Sequence, residues 1–135
     1  MKEACIFCKI VKGEVPCHKI YEDSDCLAFL DAFPHAKGHT VVVPKTHAIT
    51  TFDLNDDKVG KLNIAIKRAM ERIFDVLSPQ GFNVGWNHNK VAGQAVAHLH
   101  VHIMPRWDGD GGGSIHSIIK NPGEMSIKEV GKLFE

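Results

Sequence analysis

The chain has 135 residues, 44% hydrophobic and 24% charged, with a formal net charge of zero. That is one domain's worth, enough to bury about two thirds of the unfolded surface without staples. The balanced charge excludes a general nucleic-acid or membrane-surface binder, whose mark is a basic face, but leaves room for a local basic cluster at a phosphate site.

The opening residues hold no apolar run of signal-peptide length, and nothing downstream approaches a membrane span, so a cytosolic protein is expected. In that compartment four cysteines serve as thiols or metal ligands rather than disulfides. Nine histidines, dispersed rather than run together as a tag, call for chemistry or metal. Residues 6–11 read as a short helix, stopped by Lys12-Gly13-Glu14-Val15-Pro16. Residues 20–22 and 26–30 read as two strands of a hairpin, turning at Asp23-Ser24-Asp25. A loop covers 31–38, and the β-branched run 39–44 is a strand ended by Pro44. From 55 to 77 the apolar period becomes three and four, through Val59, Leu62, Ile66, Ala69, Met70, Ile73 and Leu77, which is one face of a helix. Asn55 is its cap, Asp56 and Asp57 suit its positive end, and Ser78-Pro79-Gln80-Gly81 stops it. Strands follow at 82–87 and 97–105, then a glycine-rich loop at 108–113. A short helix at 126–134 opens with the capping box Ser126 and Glu129. One long helix set among strands gives an α+β fold with an antiparallel sheet of about five strands.

His98, His100 and His102 alternate with Leu99, Val101 and Ile103. On a strand of period two the imidazoles share one face and the apolar residues the other. Three imidazoles are costly to bury unsatisfied, and they are a poor way to be merely polar. Two chemistries remain: a three-histidine metal centre, or nucleophilic catalysis by one imidazole with the others orienting it. Alternation does not separate them.

The surrounding blocks do. The segment 93–106 resembles the histidine triad (HIT) family signature: three histidines alternating with apolar residues, preceded by Gly93-Gln94 and followed by Pro105-Arg106. Residues 38–45 resemble the family's second block, and the opening Cys5-Ile6-Phe7-Cys8 and the segment Phe29-Leu30-Asp31 also match, so the resemblance runs to about Arg106. It implies a single HIT domain over 1–135, with a core at about 4–106 and a tail at 107–135, and a sheet joined across a homodimer. It also implies an enzyme that attacks the α-phosphate of a purine nucleotide conjugate (a phosphoramidate, dinucleoside polyphosphate or acyl-nucleotide) through a nucleotidyl-histidine.

By position, His100 is the implied nucleophile, His102 a phosphate hydrogen-bonding partner, and His39 a supporting histidine. Gly93, Gln94, Ala95 and Val96 match the phosphate loop, Asp31 the ribose-binding carboxylate, and Asn87 a position near the scissile phosphate. Ala95 stands where many relatives carry Ser or Thr, which leaves a nucleotide-binding interaction module with incidental hydrolysis as the rival reading. The third triad position is His102 rather than glutamine, which disfavours the uridylyl-transfer branch. Relatives with the Cys-x-x-Cys opening imply a structural zinc held by Cys5, Cys8, His47 and His98, a closed set of two thiolates and two imidazoles. His18, His35, His88 and His116 read as surface or loop histidines, Lys45 and Arg106 as solvated charges at strand ends, and Trp107 with 108–113 as either a mobile flap or a flexible connection. No nucleic-acid or membrane partner is expected.

Overall fold

The computed structural model describes residues 4–135. Helix α1, Ile6–Val11, begins where Cys5 caps it: the Cys5 sulfur accepts the Cys8 N–H at 3.4 Å. Strands β1, Lys19–Glu22, and β2, Cys26–Leu30, form the expected hairpin. Its turn is made by Asp23 Oδ1, which accepts the N–H groups of Asp25 and Cys26 at 2.8 Å each, the local bonding that makes Asp a turn residue. Strand β3, Thr40–Pro44, is buried throughout, because it lies inside the sheet and faces packed side chains on both sides.

Helix α2, Asp56–Leu77, is capped by Asn55 Oδ1, which accepts the Lys58 N–H at 2.8 Å. It ends at Ser78 in the left-handed conformation, φ 51°. Strands β4, Gly81–Gly85, and β5, Val101–Arg106, complete an antiparallel sheet of order β1-β2-β3-β5-β4.

The pleat divides the sheet into two faces. Ala28, Val42, Val101 and Ile103 pack with Leu62, Ala65, Ala69 and Ile73 of α2. Leu27, Phe29, Val41 and Val43 face the other way and pack with Phe7 and Ile10 of α1. Val41 lies opposite His102 across the β3–β5 ladder, so His102 is on the α1 face, away from the long helix. Gly38 sets the entry to β3: its φ is +80°, and a Cβ there would stand 2.6 Å from Leu77 Cδ1. The positive φ favours glycine, and a Cβ would also have to push the Leu77 side chain aside.

Two strands are shorter than their sequences implied. The fourth stops at Gly85 rather than 87. The fifth begins at Val101 rather than 97, because the segment before it bonds to the turn after β3. The Leu99 N–H donates to the Ala48 carbonyl at 2.7 Å, and the His98 side chain donates to the Pro44 carbonyl. His98 and His100 therefore precede the ladder, and only His102 lies within it.

Beyond β5, the segment 107–114 is organised by Arg106, which is not the solvated strand-end charge its position implied. Its guanidinium takes Asp110 in two bonds, Nε–Oδ2 at 2.7 Å and Nη2–Oδ1 at 2.8 Å, and reaches Asn83 Oδ1 at 2.6 Å. Asp110 in turn accepts the Trp107 and Gly112 N–H groups. Lys45 likewise pairs with Glu22 at 2.8 Å. Helix α3, Ile127–Lys132, has the expected Ser126–Glu129 capping box, and residues 108–135 are exposed throughout. No helix among the described residues is long and apolar enough to cross a membrane.

Candidate active site and metal centre

Two clusters of histidine meet at the start of β5. In the first, His100 is buried and its Nδ1 lies 2.7 Å from the His98 carbonyl. A carbonyl only accepts, so Nδ1 carries the proton and Nε2 is left with its lone pair. That is the tautomer a nucleophilic imidazole needs.

The ring of His102 lies 5.0 Å from that of His100. Its own tautomer is set through a chain of bonds. The His35 backbone N–H donates to His39 Nδ1 at 3.1 Å, so the proton of neutral His39 sits on Nε2. His39 Nε2 is 2.9 Å from His102 Nδ1 and donates to it, which places the His102 proton on Nε2. Both rings stay neutral near pH 7. Burial lowers the pKa of His39, against the pull of Asp31. Burial first, and then the neighbouring His100 and His39, push His102 down to about 4.

Asp31 joins this chain from the loop before β3. Its Oδ2 is 3.5 Å from His39 Nε2, and its Oδ1 accepts the Phe33 N–H at 2.8 Å. Asp31, His39 and His102 together resemble a metal-ligand set. The proton that the His35 N–H forces onto His39 Nε2 occupies the position an ion would need, so the group is a hydrogen-bonded relay. The His35 contribution is a backbone donor, which no side-chain pattern could have revealed.

The loop 93–96 leads into the triad segment. Gly93 adopts φ +103°, and its carbonyl accepts from Asn87 Nδ2 at 3.4 Å. Gln94 is buried, and its amide is fully engaged: Nε2 donates to the Ile49 and Val96 carbonyls at 2.7 and 3.0 Å, and Oε1 accepts the Asn89 N–H at 2.9 Å. The side chain therefore braces the loop, while Gly93 and Ala95 stand exposed.

The second cluster is Cys5, Cys8, His47 and His98. His98 Nε2 is 2.9 Å from the Pro44 carbonyl, so it bears the proton and Nδ1 offers a lone pair inward. Burial lowers the His98 pKa and keeps it neutral. Around His98 Nδ1 lie Cys5 Sγ at 3.3 Å, Cys8 Sγ at 3.6 Å and His47 Nδ1 at 3.2 Å, with Cys8 Sγ 3.2 Å from His47 Nδ1. A tetrahedral zinc with Zn–S of about 2.3 Å and Zn–N of about 2.0–2.1 Å has S···N edges of about 3.5 Å and N···N edges of about 3.3 Å. The donor set and its spacing fit such an ion, and the backbone carbonyl on the outer nitrogen is the usual support of a ligating histidine.

A family model described as HIT domain matches residues 12–109. The chain belongs to the HIT family. An adenosine 5′-monophosphoramidase, hnt1, of Schizosaccharomyces pombe is 42% identical over 103 residues, 76% of this chain and 74% of that protein. A HIT family protein from Bacillus anthracis superposes with a TM-score of 0.84 at 35% identity, covering 98% of this chain and 93% of the other. A zinc-bound histidine triad family protein from Mycobacterium smegmatis superposes with a TM-score of 0.77 at 37% identity, over 82% of this chain and 81% of the other. The five-stranded antiparallel sheet is thus a HIT fold, and the Cys/His cluster of this HIT protein is consistent with a metal site.

Proposed function

We propose that this HIT protein is a nucleotidyl hydrolase or transferase that acts on purine nucleotide conjugates through His100. The observation that carries the reading is the 2.7 Å bond from His100 Nδ1–H to the His98 carbonyl, which leaves Nε2 as a free nucleophile. The phosphoramidase activity in the name of the fission-yeast relative supports it.

In this reading Nε2 of His100 bonds to the α-phosphorus while the bond from phosphorus to the leaving group breaks, and the leaving group departs with that electron pair and takes up a proton from solvent. A neutral imidazole does this near neutral pH, and the covalent step divides one hard displacement into two easier ones. His102 donates Nε2–H to a phosphate oxygen, with His39 holding its other nitrogen. The exposed Gly93 and Ala95, with the backbone of Val96 beside them and Gln94 bracing the loop, cradle the phosphate. Asn87 stands near the scissile bond. Asp31 accepts the two ribose hydroxyls. Water then adds its oxygen to phosphorus and gives up a proton to solvent, the bond from phosphorus to His100 breaks with its electrons returning to Nε2, and the nucleotide leaves.

Cys5, Cys8, His47 and His98 would hold a zinc ion, which would serve as a structural crosslink between α1 and the triad segment. The thiolates require a reducing compartment, which agrees with a cytoplasmic protein. The assembly proposed is a homodimer. It is supported by the apolar side chains of the tail left in the open, among them Ile118 at 75% and Phe134 at 86% exposure.

The test is AMP release from adenosine 5′-phosphoramidate. The wild type is expected to turn over and His100→Ala to be inactive. Equal turnover by both would remove His100 from the chemistry. Tight AMP binding without turnover would favour the interaction module.

A further inference from the structure

Between β4 and the triad the backbone takes a path that few side chains allow. Residues Lys90–Ala92 form a single 3-10 turn, entered through Asn89 at φ 72°, ψ 165° and left through Gly93 at φ 103°. Positive φ is ordinary for the glycine. At Asn89, positive φ combined with ψ near 180° is a region populated almost wholly by glycine. The one other non-glycine residue of positive φ among those described, Ser78, sits at φ 51°, ψ 50°, the usual left-handed end of a helix.

The surroundings impose this conformation. The Asn89 N–H donates to Gln94 Oε1 at 2.9 Å, and the Asn89 carbonyl accepts the Ala92 and Gln94 N–H groups at 3.1 and 3.2 Å. Gln94 is buried and bonded in turn to the Ile49 and Val96 carbonyls, so Asn89 is tied to a fixed point. The Asn89 side chain is exposed and makes no capping bond to the turn it opens. A strained residue whose side chain holds nothing contributes through the path of its backbone.

That path sorts the N–H groups of the loop. Those of Ala92, Gly93 and Gln94 are used within the turn, the Gly93 N–H on the Lys90 carbonyl at 2.9 Å. Those of Ala95, Val96 and Ala97 have no backbone partner among the described residues. We infer that Asn89 is a positioning residue: its backbone, held in a glycine-type conformation by Gln94, fixes where the N–H groups of 95–97 stand before the triad segment. The inference rests on the proposed function, in which this loop holds the phosphate. It makes the backbone conformation at 89 the requirement and the Asn89 amide dispensable.

The test compares zinc-loaded wild type with Asn89→Gly and Asn89→Val, with metal content and folding checked. Glycine adopts the observed φ and ψ freely, and a β-branched residue resists them most. The position is exposed, so neither change opens a cavity. Three readouts are taken. Hydrogen exchange of the Gln94 backbone amide in the substrate-free protein is expected to quicken about 10-fold or more in Asn89→Val. The Kd for AMP is expected to rise about 10-fold, and kcat on adenosine 5′-phosphoramidate to fall about 10- to 100-fold, the size of effect that a misplaced loop produces. Asn89→Gly, conservative for the backbone, is expected to rescue all three.

Losses in Asn89→Gly equal to those in Asn89→Val would assign the role to the amide side chain and overturn the inference. Wild-type exchange and AMP affinity in folded Asn89→Val would overturn it as well. These two readouts need no turnover. A wild type inactive on the phosphoramidate, with AMP affinity lost in Asn89→Val and kept in Asn89→Gly, would sink the functional reading and leave the positioning role standing.

Discussion

Gln94→Ala separates two roles that a family signature blurs. The Gln94 amide holds three backbone groups from separate segments, the Ile49 and Val96 carbonyls and the Asn89 N–H, at 2.7, 3.0 and 2.9 Å. The side chain is 8% exposed, so water does not replace these bonds easily. Each is worth about 0.5–1.5 kcal/mol net, with a further penalty where a buried partner is left unsatisfied. The loss should total about 2–4 kcal/mol. In a domain of this size that lowers Tm by about 10 °C. Urea denaturation is the assay, and the midpoint should fall at constant m, since the surface exposed on unfolding hardly changes. Gln94→Glu should cost at least as much, because a carboxylate offers neither carbonyl a donor. Unchanged stability in Gln94→Ala, with nucleotide affinity lost, would refute the bracing role and make Gln94 a direct phosphate ligand.

Asp31→Ala should raise the Kd for AMP by about 10-fold or more, the loss expected from a charge-assisted pair of hydroxyl bonds; unchanged affinity in a titration would remove Asp31 from ribose binding. Cys5→Ser should lower bound zinc, measured by mass spectrometry of the native protein, and lower Tm with it; a full metal complement would take Cys5 out of the centre. His102 is held at about 4 in the fold against an ordinary value of 6.5, so between those values the unfolded chain takes a proton the folded one refuses. Its contribution to stability is therefore complete above pH 6.5 and lost as the pH falls toward 4. Denaturation midpoints should drop more steeply across that window in the wild type than in His102→Gln, and equal slopes would contradict the assignment.

Much of this molecule is legible in its residues because the signals are local. Asn55 caps α2, Asp23 turns the first hairpin, and the Ser126–Glu129 box opens α3, each by a bond to its own neighbourhood. The grouping of Cys5, Cys8, His47 and His98 was legible only through family resemblance, since 93 residues separate Cys5 from His98. Period two across 97–105 implied a continuous strand and missed the break before Val101. The reason is tertiary: the Ala48 and Pro44 carbonyls capture the segment first. Arg106 and Asp110 were likewise unreadable as a pair, because nothing in their spacing says that the intervening loop folds back onto the guanidinium. The backbone donors and acceptors that set the histidine tautomers, from His35, Pro44 and His98, leave no mark on sequence at all.

The central claim is that His100 becomes covalently nucleotidylated. The most direct measurement is rapid quench of the wild type with adenosine 5′-phosphoramidate, followed by intact-mass and peptide mass spectrometry. The account predicts a transient adenylyl adduct on the peptide containing His100, absent in His100→Ala and discharged by water at the rate of turnover. AMP release at full rate with no adduct on that peptide at any time would contradict it.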